Sequence, residues 1–72
     1  MYLVILCKHV RVFDCVITKT EYVTVPSIDD EKALKKRLQY YLDNDWKYIN
    51  LYKDVQYPDN DDIEKVYKLF RK

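Results

Sequence analysis

The spacing of apolar residues changes from a helical period to a strand period near residue 44, and this change constrains the fold most strongly. Residues 28–43 are predicted to form a helix with one apolar stripe, made by Leu34, Leu38, Tyr41 and Leu42. Residues 47–53 then alternate at a period of two, which is typical of a strand. Ser27 resembles the first residue of a capping box, and Asn44 is the expected left-handed residue at the helix end. A helix that leads directly into a strand is therefore the first element of the predicted fold.

Runs of branched and apolar residues predict three more strands before the helix, at residues 2–8, 10–18 and 21–25. The first turn is placed at Lys8 and His9, while a turn at Phe13 and Asp14 is the alternative and would lengthen the first strand. Pro26 ends the third strand, and Asp59 is the predicted N-cap of a short C-terminal helix. The expected order is βββαβα, an α+β fold in which an antiparallel sheet of about four strands carries its helices on one face.

Length and composition narrow the class of protein. The 72 residues suit a single domain, 1–72, and the 49% hydrophobic content is typical of a folded chain. The net charge of +1 argues against bulk electrostatic attraction to nucleic acid or to an anionic membrane. No apolar run approaches the about 18 residues of a membrane span, and no signal peptide pattern is present. The sequence therefore predicts a cytoplasmic protein that does not bind membranes.

Glycine is absent from the chain, which removes Gly-rich phosphate loops, dinucleotide fingerprints and nucleophile elbows from consideration. Cys7 and Cys15 are too few for a disulfide scaffold, and both are predicted to be reduced and buried. His9 lies close to Cys7, but no Asn or Asp is obviously placed to orient its ring. We therefore expect no catalytic residues and no cofactor.

Metal binding is also not expected. The two cysteines and one histidine cannot complete a structural zinc site. A cluster of aspartates resembles part of a calcium loop, and it consists of Asp59, Asp61 and Asp62, with Asp54 nearby. Glu64 and Phe70, however, stand where an EF-hand that starts at Asp59 needs its glycine and its bidentate glutamate. Helix capping explains these aspartates without a metal.

Two surfaces are candidates for partner binding. If Ile49 and Leu51 face the helices, an aromatic set stands on the other face of the sheet, composed of Tyr22, Tyr48, Asn50 and Tyr52. Tyrosine is enriched at interface hot spots, although cross-strand pairing on a wet sheet is the alternative explanation. The second surface is a basic stretch of the long helix with an adjoining ring, made by Lys32, Lys35, Lys36, Arg37 and Tyr40. These residues either contact phosphates or an acidic surface, or simply form a solvated helix face.

The segment from Leu42 to Ile49, Leu-Asp-Asn-Asp-Trp-Lys-Tyr-Ile, resembles the helix-exit Asn-Gly-Trp element of many small bacteriophage proteins of unknown function, with Asp45 in place of the glycine. The composition, without Gly and rich in Lys, Asp, Tyr, Ile and Val, also resembles small accessory proteins of phages and archaeal viruses. The resemblance implies a protein that binds and blocks a host protein, including defence complexes such as CRISPR effectors. It specifies no site residues.

These observations favour a non-enzymatic protein-interaction module, in the form of a viral inhibitor acting in the host cytoplasm on a CRISPR or other defence complex. It would bind through the tyrosine face or a sheet edge, with a homodimer as one form. A nucleic-acid-binding module that uses the sheet tyrosines and the basic helix face is the second hypothesis. A small enzyme that uses His9 with Cys7 or Cys15 is the third.

Overall fold

The computed structural model describes residues 1–54 and 56–71 and has an α+β fold of three strands and two helices. The strands are β1 (Tyr2–Val12), β2 (Cys15–Val25) and β3 (Lys47–Lys53), and the helices are α1 (Glu31–Asp43) and α2 (Asn60–Phe70). The element order is ββαβα, and β1 lies between β2 and β3 in a fully antiparallel sheet. The α+β class is confirmed, whereas the predicted sheet of about four strands has three. Neither helix is long and apolar enough to span a bilayer in the described part of the chain.

The first two strands form one long hairpin, so the predicted turn at Lys8 and His9 is wrong. Each strand has 11 residues, and the turn lies at Phe13 and Asp14, between the paired residues Val12 and Cys15. Neither Lys8 nor His9 has turn chemistry, and an uninterrupted ladder pairs branched residues along the whole hairpin. The strands that were predicted separately at 10–18 and 21–25 are therefore parts of β1 and β2.

The core lies between one face of the sheet and both helices. Alternate residues of β1 are buried on this face, and they meet the buried stripe of α1 and one residue of α2. The buried core residues are Tyr2, Val4, Leu6, Val23, Val25, Ile28, Leu34, Leu38, Leu51 and Val66. Because both helices pack on this face, they do not contribute buried residues to the other face of the sheet.

Helix α1 begins later than predicted, because Asp30 and not Ser27 is its N-cap. The Asp30 carboxylate accepts a hydrogen bond from the backbone N–H of Ala33 at 3.2 Å. The Ser27 hydroxyl instead accepts from the N–H of Asp29 at 3.1 Å, which stabilises the turn before the helix.

The end of α1 also differs from the prediction, whereas the start of α2 matches it. Asn44 has a φ of −110°, and the left-handed residue is Asp45, with a φ of 61°. The Asn44 side chain donates to the carbonyl of Tyr40 at 2.6 Å and holds the last turn of the helix. Asp59 is the N-cap of α2 and accepts from the N–H of Asp62 at 2.9 Å, as predicted.

A β-bulge in β3 reverses which face its first residues point to. Ile5 pairs with Asn50 and Leu6 pairs with Tyr48, so Ile49 is the extra residue. The prediction that Ile49 faces the helices and Tyr48 faces away is therefore wrong. Tyr48 packs against the core, while Ile49 is 46% exposed.

Beyond the third strand the hairpin projects as an arm, which we define as residues 8–20. Strand β3 pairs with β1 only between Tyr2 and Cys7, so no third strand supports the arm. The molecule is correspondingly elongated, with extents of 40 × 24 × 18 Å. Both thiols are free, but Cys15 is exposed beside the turn and Cys7 is half-buried. The predicted burial of both cysteines is therefore wrong, because the arm carries Cys15 away from the core.

Candidate interaction face of the sheet

The face of the sheet that points away from the helices, the open face, presents side chains from all three strands. Its members are Leu3, Ile5, Cys7, Thr20, Tyr22, Thr24, Lys47, Asn50 and Tyr52. The register places Ile5 between Tyr22 and Asn50, and places Leu3 between Thr24 and Tyr52. Side chains directly opposite one another share a face, so the apolar residues of the central strand are flanked by aromatic and polar ones.

The two tyrosines of this face lie on its outer strands and are more exposed than the residues between them. Tyr22 is 64% exposed and Tyr52 is 44% exposed, whereas Leu3 and Ile5 between them are half-buried. Asn50 donates a hydrogen bond from its side-chain amide to the Tyr52 hydroxyl at 2.9 Å. The side-chain oxygen Oδ1 of Asn50 in turn accepts from the backbone N–H of Leu51 at 2.8 Å, which fixes the orientation of the amide. These two hydrogen bonds therefore hold the Asn50 and Tyr52 side chains in one orientation.

Tyr48 does not belong to the open face. Its ring packs edge-to-face on Tyr67 of α2, with the ring centroids 5.7 Å apart. Burial raises the pKa of the Tyr48 hydroxyl above its ordinary value, because desolvation disfavours the phenolate. Of the predicted aromatic set, the structure brings Tyr22, Asn50 and Tyr52 together and assigns Tyr48 to the helix side.

The sequence did not single out Leu3 and Ile5, which form the apolar centre of the open face. They belong to a near-continuous apolar run, which predicted a strand buried on both faces. A short chain with two helices covers only one face of its sheet. The signal that could have identified them was the absence of a third helical segment to cover the second face.

The basic residues of α1 lie on the opposite side of the sheet from Tyr22 and Tyr52. The exposed residues of this helix include Lys32, Lys36, Arg37 and Tyr40. The rings of Tyr40 and Tyr41 pack edge-to-face, with their centroids 5.3 Å apart. The two predicted surfaces are therefore separate, because the thickness of the sheet and of α1 lies between them.

A groove of about 390 Å³ lies between the end of α1, the start of β3 and the end of α2. Leu42, Trp46 and Phe70 contribute apolar lining, and Lys35 and Lys47 contribute positive charge. Trp46 is held in place by edge-to-face contact with Tyr41, at a centroid distance of 5.6 Å. The volume is within the range of small-molecule sites, but of the open-face residues this groove includes Lys47 alone.

Residues that were candidates for catalysis or metal binding form hydrogen bonds or an ion pair within the fold. The His9 ring nitrogen Nδ1 lies 3.1 Å from the hydroxyl of Thr18 on the neighbouring strand. The Asp54 carboxylate pairs with the N-terminal amine at 3.0 Å, and Asp62 accepts from the Tyr2 hydroxyl at 3.3 Å. Within residues 1–54 and 56–71, no group of three or more His, Cys, Asp or Glu side chains is placed to hold a metal ion.

The open face therefore combines an apolar centre, two exposed aromatic rings and hydrogen-bonding groups of which only Lys47 is charged. This combination is typical of surfaces that bind other macromolecules. No family model matches this chain, and no curated protein or solved structure matches it either.

Proposed function

We propose that this chain is a non-enzymatic protein-interaction module that binds its partner through the open face. The observation that carries the proposal is the pair of exposed rings, Tyr22 and Tyr52, on either side of the half-buried Leu3 and Ile5. Tyrosine supplies apolar area and a hydroxyl from one rigid side chain, and it is enriched among residues that dominate binding energy.

A protein partner fits this face better than a nucleic acid does. Of the nine residues that define the open face only Lys47 is charged at neutral pH, whereas nucleic-acid binding depends on several lysine and arginine contacts to phosphates. The basic residues Lys32, Lys36 and Arg37 lie on the other side of the molecule and cannot contact the phosphates of a strand stacked on Tyr22 and Tyr52. The expected partner surface has an apolar centre and hydrogen-bonding groups at its rim.

The resemblance to viral accessory proteins suggests which partner to test first. It implies a cytoplasmic host protein, with a CRISPR effector or another defence complex as the class, and inhibition by occupation of the partner's surface. Blocking of this kind requires only contact between two protein surfaces, and the open face offers such a surface without a cofactor or substrate.

The experiment compares matched tyrosine variants. The wild-type chain and the Tyr22→Ala/Tyr52→Ala variant are used side by side to capture partners from host extract, and the captured protein is then titrated against each. We expect the double variant to weaken binding by about 30-fold or more, since one hot-spot tyrosine contributes about 2 kcal/mol. Tyr40→Ala is the control, because Tyr40 is similarly exposed, at 66%, but lies on α1.

Two results would contradict the proposal. One is unchanged affinity of the Tyr22→Ala/Tyr52→Ala variant together with loss of binding by Lys36→Glu, which would assign the site to the basic helix face. The other is a steep loss of affinity between low and moderate salt, which would indicate phosphate contacts and support the nucleic-acid hypothesis.

A further inference from the structure

The two edges of the sheet are protected to very different degrees. Strand β3 has seven residues, a bulge at Ile49 and a lysine at each end, and the chain turns back at its end through a bridge from Lys53 to Gln56. Short length, bulges and lysines are the usual devices that prevent an edge strand from pairing with another chain. Strand β2 has 11 regular residues that pair with β1 on one side only. Its one lysine, Lys19, is accompanied by Glu21 on the same face, and Pro26 follows the end of the strand. The outer edge of β2 is therefore the edge that is available to pair with another strand.

The arm adds a second observation at the same edge. Its exposed apolar residues include Val12 at 41%, Val16 at 64% and Ile17 at 48%. A two-stranded ribbon without a third strand or a helix is only marginally stable in water. An arm of this length and composition is expected to gain stability from a neighbouring strand.

We propose that two copies of this chain associate by antiparallel pairing of their β2 strands around a twofold axis at Thr20. The result is one continuous sheet of six strands, three from each copy, with both β2 strands at its centre. A twofold interface uses the same surface on both subunits, so every contact between two different residues occurs twice. Pairing of two identical edges also satisfies the outward backbone groups of both strands.

The sequence of β2 selects this register among the alternatives. Outward backbone groups alternate along a strand, so a symmetric antiparallel pair must be centred on a residue. Thr20 is the middle residue of Cys15–Val25, and only this centre pairs the strand over its whole length. It also places Lys19 opposite Glu21 of the partner subunit, and Glu21 opposite Lys19 of the partner subunit.

The neighbouring registers are unfavourable for electrostatic reasons. Centring the pair on Lys19 places two lysines directly opposite each other, and centring it on Glu21 does the same with two glutamates. Like charges directly opposite on neighbouring strands are destabilising, whereas opposite charges are stabilising. The charge order Lys19-Thr20-Glu21 is thus complementary to itself in one register.

The same register places the core-side β2 residues of the arm, Cys15 and Ile17, beside core positions of the second copy. Val10, Val12, Cys15 and Ile17 point to the side of the sheet that carries the core, because strand residues alternate between faces. Ile17 lies opposite Val23 of the partner subunit, and Cys15 lies opposite Val25 of the partner subunit, both of which are core positions. Helix α1 packs against β2, so the arm of each copy extends along the partner's core beside that helix.

Self-association is measured on the protein alone, so the proposal can fail while the proposed function stands. In sedimentation equilibrium the chain of 72 residues is expected to be a dimer, and Lys19→Glu or Glu21→Lys should each weaken the association by about tenfold or more. The Lys19→Glu/Glu21→Lys variant restores opposite charges in both pairs and should recover association. Lys19 faces Lys8 within the hairpin, so Lys19→Glu improves the pairing inside one copy and cannot act through unfolding.

A disulfide experiment tests the register directly. Cys7 lies opposite Thr20 on β1, so Cys7→Ala/Cys15→Ser is the background for both cysteine variants. Thr20→Cys should form a covalent dimer on mild oxidation, because residues on the twofold axis are about 4.5–5.5 Å apart between Cα atoms. Thr18→Cys is the control, since its two copies are roughly 14 Å apart along the strands. A wild-type chain that is monomeric at about 1 mM, charge variants without effect, or equal cross-linking of both cysteine variants would overturn the proposal.

Discussion

Phe13 has the least favourable backbone conformation of the hairpin. Its φ of 55° lies in the left-handed region, where a bulky residue is an outlier because Cβ approaches the following carbonyl oxygen. The ring is also 93% exposed, so no packing in the isolated chain compensates for the strain. The chain has no glycine to place at this turn, and the strain is the consequence of that composition.

Phe13→Gly should therefore stabilise the protein. Removal of the left-handed penalty outweighs the added flexibility of glycine in the unfolded chain, and we expect the free energy of unfolding to rise by about 0.5–1.5 kcal/mol. Thermal and chemical denaturation measure the change. Val16→Gly is the matched control, because Val16 is an exposed residue of the same arm in extended conformation, and it should lower stability. A lower melting midpoint for Phe13→Gly would show that its positive φ carries no strain.

Tyr48 shows where residue-by-residue reasoning from the sequence was insufficient. Strict alternation in residues 47–53 assigned it to the open face, and the bulge at Ile49 moved it to the core side. Isoleucine and tyrosine are both compatible with either face of a strand, so the local sequence contains no preference between the two registers. The choice is made by long-range packing, in which the Tyr48 ring fills the space against Tyr67.

The free energy of unfolding should separate the two tyrosine environments. Tyr48→Ala is expected to lower it by about 1.5–3 kcal/mol, because the ring contacts the core and Tyr67. Tyr22→Ala should lower it by less than about 1 kcal/mol, because Tyr22 has only cross-strand neighbours on the open face. Both variants are compared by urea denaturation. Equal effects would mean that Tyr48 does not pack against α2.

The two cysteines should react at different rates in the native state. Cys15 is exposed beside the turn, whereas Cys7 is half-buried between two strands. At a protein concentration low enough to keep the chain monomeric, a thiol reagent in excess should label Cys15 rapidly and Cys7 slowly, since reaction requires access to the thiolate. Mass spectrometry of digested protein at successive times assigns each rate, with denatured protein as the control. Faster labelling of Cys7 would contradict the position of β1 in the centre of the sheet.

At the scale of elements, the apolar stripes of the helices were predictable, whereas the observed hairpin turn at Phe13 and Asp14 was only the alternative to the predicted turn at Lys8 and His9. The α1 stripe and the Asp59 cap depend on residues a few positions apart, so local periodicity and capping chemistry identify them. The turn at Phe13 and Asp14 has no comparable local preference, because the residues that usually mark a two-residue turn are missing. The hairpin is instead determined by pairing between residues that are far apart in sequence, such as Tyr2 with Val25.

Leu38 provides the test of the α1 packing. Its side chain is fully buried in the middle of the stripe, so Leu38→Ala should lower the free energy of unfolding by about 2–5 kcal/mol. Lys36→Ala is the control on the exposed side of the same helix and should change stability by less than about 0.5 kcal/mol. Chemical denaturation gives both values. A Leu38→Ala variant with stability close to that of the wild type would place the core-facing stripe elsewhere.

At the scale of the whole molecule, the candidate surfaces follow from the unequal lengths of the strands. Because β3 ends its pairing at Cys7 while β1 continues to Val12, the hairpin projects beyond the body. The number of helices likewise leaves one face of the sheet open. The sequence predicted an exposed tyrosine face, but it did not predict the arm, since the arm depends on where the third strand stops. The amino-acid composition indicates which kinds of side chain these surfaces can carry, and the topology determines which residues lie together on one surface.

The body should fold without the distal arm, because the core lies between the helices and the proximal half of the hairpin. His9 and Thr18 are directly opposite each other, so residues 10–17 can be replaced by the dipeptide Asn-Gly, which favours a two-residue hairpin turn. The buried core residues are all outside the deleted segment. We expect the free energy of unfolding of the monomer to change by less than about 1 kcal/mol, since an unsupported ribbon contributes little stability.

The shortened chain also separates folding from self-association. It keeps the Lys19–Glu21 pairs around Thr20 but loses the pairs between residues 15–17 of one copy and residues 23–25 of the other, so its dimer should be weaker in sedimentation equilibrium while its helical circular dichroism matches that of the wild type. Replacing the tip residues Phe13 and Asp14 alone by Asn-Gly is the control, because it keeps both strands complete and should leave association intact. Loss of helical signal in the shortened chain would show that residues 10–17 are part of the folding unit. A shortened chain that dimerises as strongly as the wild type would place the interface outside the distal half of β2.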